Sequence, residues 1–170
     1  MEIYLIRHAI AENRDATRWP DDSIRPLTRE GSERFVRAAH GLRLLVPTVD
    51  LMLSSTYVRA WQTAQILHDE AGWPPPVPCD ALAAHRSSDA ALETLREPSR
   101  AGAVGLIGHE PNLSLLASLL LAGDTAAVQF ELKKGAVISL ACNDGLSPGG
   151  AVLRWSVSPK ILRAVFAERE

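Results

Sequence analysis

Short β-prone apolar runs alternate with longer stretches in which apolar residues recur every three or four positions, from the first residues to about residue 122. Ile3-Tyr4-Leu5-Ile6 reads as a strand buried on both faces. A polar, proline-containing stretch from Glu12 to Pro26 separates it from a helix capped by Thr28. In that helix Phe35, Ala38, Ala39, Leu42, Leu45 and Val46 form the inner stripe, and Pro47 stops it. Val49 to Leu53 is a second short strand, with Ser54 and Ser55 as caps for a helix whose inner stripe is Ala60, Ala64, Leu67 and Ala71. Gly72 and the Pro74-Pro75-Pro76 run end it, and Val77 opens a short strand.

The alternation continues with a helix from Asp89 to Glu97, closed by Pro98, and a third buried strand from Ala103 to Ile107. Pro111 suits the first position of a helix that runs to Ala122 and breaks at Gly123-Asp124. The tail differs: Ala136 to Cys142 and Ala151 to Val157 flank a turn-rich loop and predict a hairpin, with a last helical segment from Pro159. The whole predicts one α/β domain over residues 1–170, with helices on both faces of a largely parallel central sheet.

Composition narrows the function classes. With 46% hydrophobic and 22% charged residues and a net charge of −2, no global basic surface exists to attract nucleic acid. Anion binding must therefore come from a local cluster. Cys79 and Cys142 form no metal or redox motif and read as reduced, buried thiols. The apolar run before Arg7 is too short for a signal peptide, and Leu115 to Ala122 is too short for a membrane span, so the expectation is a cytoplasmic protein with no membrane partner. His40, His68 and His85 have no metal-ligand spacing, so no metal and no cofactor is expected. The four tryptophans, Trp19, Trp61, Trp73 and Trp155, are expected in the core.

Three predicted strands end alike: the first in Arg7-His8, the second in Ser54-Ser55 before a helix carrying Arg59, the third in Gly108-His109. Open α/β sheets bind ligands beyond the carboxyl ends of their strands, where helix N-termini also point. Singly, each histidine reads as an ordinary hydrogen-bonded residue and each arginine as a solvated one. Together they describe a site for a compact dianion such as a phosphoryl group.

Four motifs in order also resemble a known family. Leu5-Ile6-Arg7-His8-Ala9 is similar to the opening "RHG" signature of the histidine phosphatase superfamily, the branch that includes the cofactor-dependent phosphoglycerate mutases. Leu27-Thr28-Arg29-Glu30-Gly31 resembles its helix start, Ser54 to Ala64 its "SS...RA.QTA" segment, and Gly108-His109-Glu110-Pro111 its "GH.P". Length and the Arg25-Pro26-Leu27-Thr28 stretch, with Leu153-Arg154-Trp155 and Ser158-Pro159-Lys160 near the end, most resemble the SixA-like phosphohistidine phosphatases. The resemblance implies a three-layer αβα, phosphoglycerate mutase-like fold. It also implies a metal-independent phosphatase in which His8 is the nucleophile and Arg7, Arg59 and His109 hold the phosphoryl oxygens. Arg25, Asn13 and Ser55 are further substrate-binding candidates, and Lys133-Lys134 is a candidate rim.

Two departures stand out. Ala9 replaces the usual glycine, which is harmless unless that position needs a positive φ. The acid expected to protonate a leaving oxygen has no clear match, with Asp80, Glu110 or no residue in that role. Imidazole leaves more readily than an alkoxide, so a site without an acid suits phosphohistidine in a protein substrate. A small-metabolite phosphomonoesterase, or a module that binds phosphate without turnover, are the alternatives.

Overall fold

Each strand is short because polar or turn-forming residues bound its apolar run. The structure, a computed structural model, describes residues 1–96, 101–143 and 145–167. The strands are β1 (Glu2–Arg7), β2 (Leu51–Ser54), β3 (Val77–Pro78), β4 (Ala103–Gly108), β5 (Val137–Cys142) and β6 (Ala151–Val157). The helices are α1 (Arg29–Leu45), α2 (Val58–Ala71), α3 (Ser88–Arg96), α4 (Asn112–Ala122) and α5 (Pro159–Ala167). The Thr28 side chain accepts the Gly31 N–H and so starts α1, as its sequence position predicts. Gly72 and Gly123 end α2 and α4 in the left-handed conformation, at φ of 73° and 79°.

The sheet order is β3-β2-β4-β1-β5-β6. β3, β2, β4 and β1 are parallel, and the β5–β6 hairpin continues the sheet in antiparallel sense. Alternate residues of the central strands face two cores. Ile6, Met52, Ile107 and Val137 pack with Phe35 and Leu42 of α1, Ala60 and Leu67 of α2, and Leu162 of α5. Ile3, Leu5, Leu53, Val104 and Leu106 pack with Leu92 and Leu95 of α3 and Leu113, Leu116 and Leu120 of α4. That is the expected three-layer αβα arrangement with a mostly parallel sheet.

Some local expectations shift. Leu45, the last residue of α1, is 45% exposed and does not belong to the buried stripe. Ser54 and Ser55 do not cap α2; Tyr57 occupies the cap position, and both serines are buried at the strand end. Pro111 sits just before α4 rather than as its first residue. Of the four tryptophans only Trp73 is a core residue, with its indole N–H donating to the Val46 carbonyl at 3.1 Å. Glu97, Pro98 and Asp144, assigned from sequence to a helix end and a turn, lie outside the described residues.

The α1–α5 contact depends on close approach. A Cβ on Gly41 would fall on the Leu162 carbonyl. Alanine at Gly41 gains about 1 kcal/mol in helix propensity, but overpacking against backbone costs about 1–3 kcal/mol, so the clash wins. Gly41→Ala is expected to lower stability in urea unfolding, and an unchanged or raised midpoint would refute the close packing of these helices.

Candidate active site

Strand register builds the site. Arg7 pairs with Gly108 across β1 and β4, and Ser54 pairs with Ile107 across β2 and β4. The three chains therefore leave the sheet side by side, with the His8 N–H donating to the Gly108 carbonyl at 3.0 Å and the Ser55 N–H to the Ile107 carbonyl at 2.9 Å. As a result the rings of His8 and His109, a hundred residues apart in sequence, lie with centroids 5.2 Å apart.

Helix α2 supplies the framework, and its motif residues each have a contact. Ala60 and Ala64 are fully buried against the sheet. The Gln62 side-chain oxygen accepts the Leu27 N–H at 2.8 Å, fixing the start of α1. Thr63 Oγ1 accepts the Ala9 N–H at 3.0 Å and donates to the Arg59 carbonyl at 2.7 Å, tying the turn after β1 to α2. Ala9 is buried, and among the described residues only glycines have a positive φ, so its methyl is tolerated.

His8 Nδ1 lies 2.7 Å from the Ala9 carbonyl. A carbonyl only accepts, so Nδ1 carries the proton and Nε2 keeps its lone pair. Burial, then the neighbouring His109, push the pKa of His8 down to about 2, and Arg59 and Arg7 act in the same direction. Burial and the charge of Arg59 push His109 down to about 3. His109 Nε2 pairs with Ser55 Oγ at 2.9 Å, and its Nδ1 has no protein partner.

The arginines are held from behind. Arg59 is 2% exposed; its Nη1 donates to the Asp22 carbonyl at 2.7 Å and its Nη2 lies 2.9 Å from Asp22 Oδ2. Arg25 is also buried, donating from Nε to Asp22 Oδ1 at 2.7 Å and from Nη1 to the Glu12 carbonyl at 2.6 Å. Arg7 Nη1 donates to the Leu132 carbonyl at 2.8 Å. Partial burial works to raise the pKa of Asp22, but the Arg25 hydrogen bond and the charges of Arg59, Arg25 and Arg14 outweigh it, so its carboxyl stays below the usual range.

These groups enclose a cavity of about 290 Å³ lined by Arg7, His8, Arg25, Arg59, His109 and Lys134, with Asn13 and Glu110 among the remaining walls. Arg7 Nε, Arg59 Nε and His109 Nδ1 are buried without a hydrogen-bond partner among the described residues. The guanidinium groups of Arg7, Arg25 and Arg59 and two histidines lining one cavity make a setting that suits a compact anion.

Six of the seven site residues expected from sequence line this cavity: Arg7, His8, Arg59, His109, Arg25 and Asn13. Ser55 stands one contact back, on His109. Lys134 lines the cavity, while Lys133 points into the neighbouring cleft. Asp80 is elsewhere, paired with Arg86 and lining a separate depression. Glu110 is in the cavity: Oε2 accepts from Ser114 Oγ at 2.7 Å, Oε1 is buried without a partner, and burial raises its pKa. Asp22 was missed. The acidic pair Asp21-Asp22 inside an otherwise arginine-rich loop was the available signal, since an acid three residues before Arg25 suits a local ion pair.

Comparison with known proteins fits this arrangement. Residues 3–84 match the family described as Histidine phosphatase superfamily (branch 1). An uncharacterized protein of Picosynechococcus sp. is 34% identical over 142 residues, covering 82% of this chain and 84% of its own length. The chain belongs to the histidine phosphatase superfamily, branch 1. Its fold is similar to that of the protein histidine phosphatase SixA complexed with tungstate, with a TM-score of 0.81 at 24% identity over 95% of this chain and 99% of the other. It is also similar to the alpha-ribazole phosphatase from Shigella flexneri, with a TM-score of 0.72 at 20% identity over 94% and 97%. No helix among the described residues is long and apolar enough to cross a membrane.

Two outcomes are expected from this geometry. Above the unfolded pKa of about 6.5, both histidines are neutral in both states; below it, the unfolded chain takes up protons that the folded site refuses. Stability of the ligand-free protein is therefore expected to fall from pH 6.5 towards about 3, and histidine NMR at pH 5 should find both rings neutral. A His8 or His109 ring titrating near 6.5 in the folded protein would refute this. Asp22→Ala frees Arg25 and Arg59 from their shared anchor, and kcat/KM for phosphate release is expected to fall on the order of 10–100-fold. Retention of the wild-type value would show that the arginines hold their places without it.

Proposed function

We propose that the protein is a phosphatase that works through a covalent phosphohistidine on His8, and that its substrate is phosphohistidine in a protein. The observation that carries the phosphatase reading is that Arg7, Arg25, Arg59 and His109 line one cavity with a neutral His8. Positioning and charge are what phosphoryl transfer chiefly asks of a protein.

In the first step the His8 Nε2 lone pair forms a bond to phosphorus while the bond to the leaving group breaks in line. The leaving nitrogen or oxygen takes up a proton. Arg7, Arg59 and Arg25 hold the equatorial oxygens, with His109 as a further donor. In the second step water attacks phosphorus, the P–Nε2 bond breaks, and phosphate is released with His8 neutral again. No step uses a metal, so the activity is expected to survive a chelator.

Two features support a protein substrate. The connections that rise over the site, residues 8–28 and 79–87, carry only single 3-10 turns and no added helical cover, which leaves room for a macromolecule. The fold also resembles that of SixA, described as a protein histidine phosphatase. A second reading, a monoesterase acting on a small metabolite, is favoured by Glu110, whose partly buried carboxyl lies in the cavity with a raised pKa and suits protonation of an alkoxide.

Phosphate release from a phosphohistidine-bearing protein, from p-nitrophenyl phosphate and from phosphoserine tests these readings. His8→Ala is expected to lose at least on the order of 10³-fold on all three, and Arg59→Ala on the order of 10²–10³-fold. Activity surviving in a folded His8→Ala protein sinks the mechanism. Faster turnover of phosphoserine than of phosphohistidine, lost in Glu110→Gln, selects the metabolite reading.

A further inference from the structure

A second cleft, of about 640 Å³, opens beside the catalytic cavity and shares Arg7 and Lys134 with it. Its floor is apolar, formed by Ile10, Phe35 and Pro159 among others, and Ile10 is 37% exposed. Four more cations line it: Arg34 from α1, Lys133 from the turn before β5, and Lys160 and Arg163 from α5. Among the described residues, no carboxylate lines it. Arg34 has Glu30 at 3.0 Å and Lys133 has Glu131 at 3.7 Å, both acids being well exposed. Among the described residues, no carboxylate lies within 4.0 Å of the Lys160 or Arg163 side-chain nitrogens. The charges felt by Arg163 are those of Arg34 and Arg37, both cations, which together with burial lower its pKa.

A protein of net charge −2 gathers six cations on one cleft at an electrostatic cost, because like charges at short range repel. The cleft is more than twice the volume of the catalytic cavity. The cleft's own cations come from α1, α5 and the turn before β5, and among the described residues they share no carboxylate as Arg25 and Arg59 share Asp22. Spread cations over an apolar floor complement an amphipathic polypeptide segment with several carboxylates better than they complement a second phosphate.

We infer that this cleft is a docking site for an acidic, partly apolar segment of the phosphoprotein substrate, adjoining its phosphorylated histidine. The inference rests on the phosphohistidine reading above. The segment's carboxylates meet Arg34, Lys133, Lys160 and Arg163, and its apolar side chains cover Ile10 and Pro159. Arg7 and Lys134 join the two sites, so the docked segment and the phosphoryl group lie on one continuous surface.

Two peptides of equal length, each carrying one histidine phosphorylated with phosphoramidate, test this. One has aspartate, glutamate and leucine around the histidine; the other has asparagine and glutamine in place of the acids. The wild type is expected to show a KM at least tenfold lower for the acidic peptide, with kcat similar. The advantage should shrink as sodium chloride is raised from roughly 50 to 300 mM, as expected for exposed charges. In the Lys160→Glu/Arg163→Glu variant the preference should vanish, with p-nitrophenyl phosphate hydrolysis and circular dichroism reporting that the fold and catalytic cavity are intact. Equal KM values in the wild type, or a preference that survives the charge reversal, overturn the docking site. Binding of the unphosphorylated acidic peptide is measured separately by calorimetry. If it binds the wild type and not the variant while neither phosphorylated peptide turns over, the cleft stands and the phosphohistidine reading fails.

Discussion

The parallel register of β1 with β4 and of β4 with β2 is the constraint on which the rest of the site depends. It sets Arg7 beside Gly108 and Ser54 beside Ile107, so His8, His109 and Ser55 follow as neighbours without further design. Backbone hydrogen bonds fix that register over six residue pairs between β1 and β4, and a slip of one residue would turn His8 and its neighbours to the opposite face. The apolar alternation that feeds Ile3 and Leu5 to one core and Ile6 to the other prevents that slip. Core packing and catalytic geometry are therefore one requirement, met by the same residues.

Gathering positive charge at one edge has a consequence for the histidines. Burial and the nearby arginines both oppose protonation, so His8 stays neutral well below the pH where a free imidazole would charge. The usual answer to nucleophile activation is an adjacent base. In the proposed mechanism the environment does that work, and the Ala9 carbonyl completes it by holding the proton on Nδ1. Asp22 answers the opposite problem. It neutralises part of the charge of Arg59 and Arg25, which lets two buried guanidinium groups sit close together.

Much of this was legible in the sequence because periodicity and strand ends are local properties. The strand ends at Arg7, Ser54 and Gly108 were placed to within a residue, and a parallel sheet then brings their neighbours together. The Gln62 and Thr63 contacts show why the α2 motif reads as it does: each side chain satisfies a backbone N–H of a different loop. What stayed hidden depended on how the loop from Glu12 to Pro26 folds back. Asp22 meets Arg59 across 37 residues, and nothing in the spacing signals such a contact. Ser54 and Ser55 looked like helix caps because serine favours that place, but the ring of His109 claims the Ser55 hydroxyl and α2 starts three residues later. Asp80 and Glu110 were equal candidates for an acid until the fold set one against Arg86 and the other in the cavity.

The two clefts show how one pool of cations is divided by function. Arg25 and Arg59 are buried and anchored through Asp22, so little ordering entropy remains to be lost when a phosphoryl group arrives. Lys133 and Lys160 are exposed on flexible stems, and Lys160 has no comparable anchor among the described residues. Rigid charge suits an event that must stabilise one transition-state geometry, whereas mobile charge suits recognition of a surface whose carboxylates vary in position. Arg7 belongs to both clefts, tied at Nη1 to the Leu132 carbonyl. Its anchored guanidinium is common to both, so whatever occupies the outer cleft acts on a group that also lines the candidate active site.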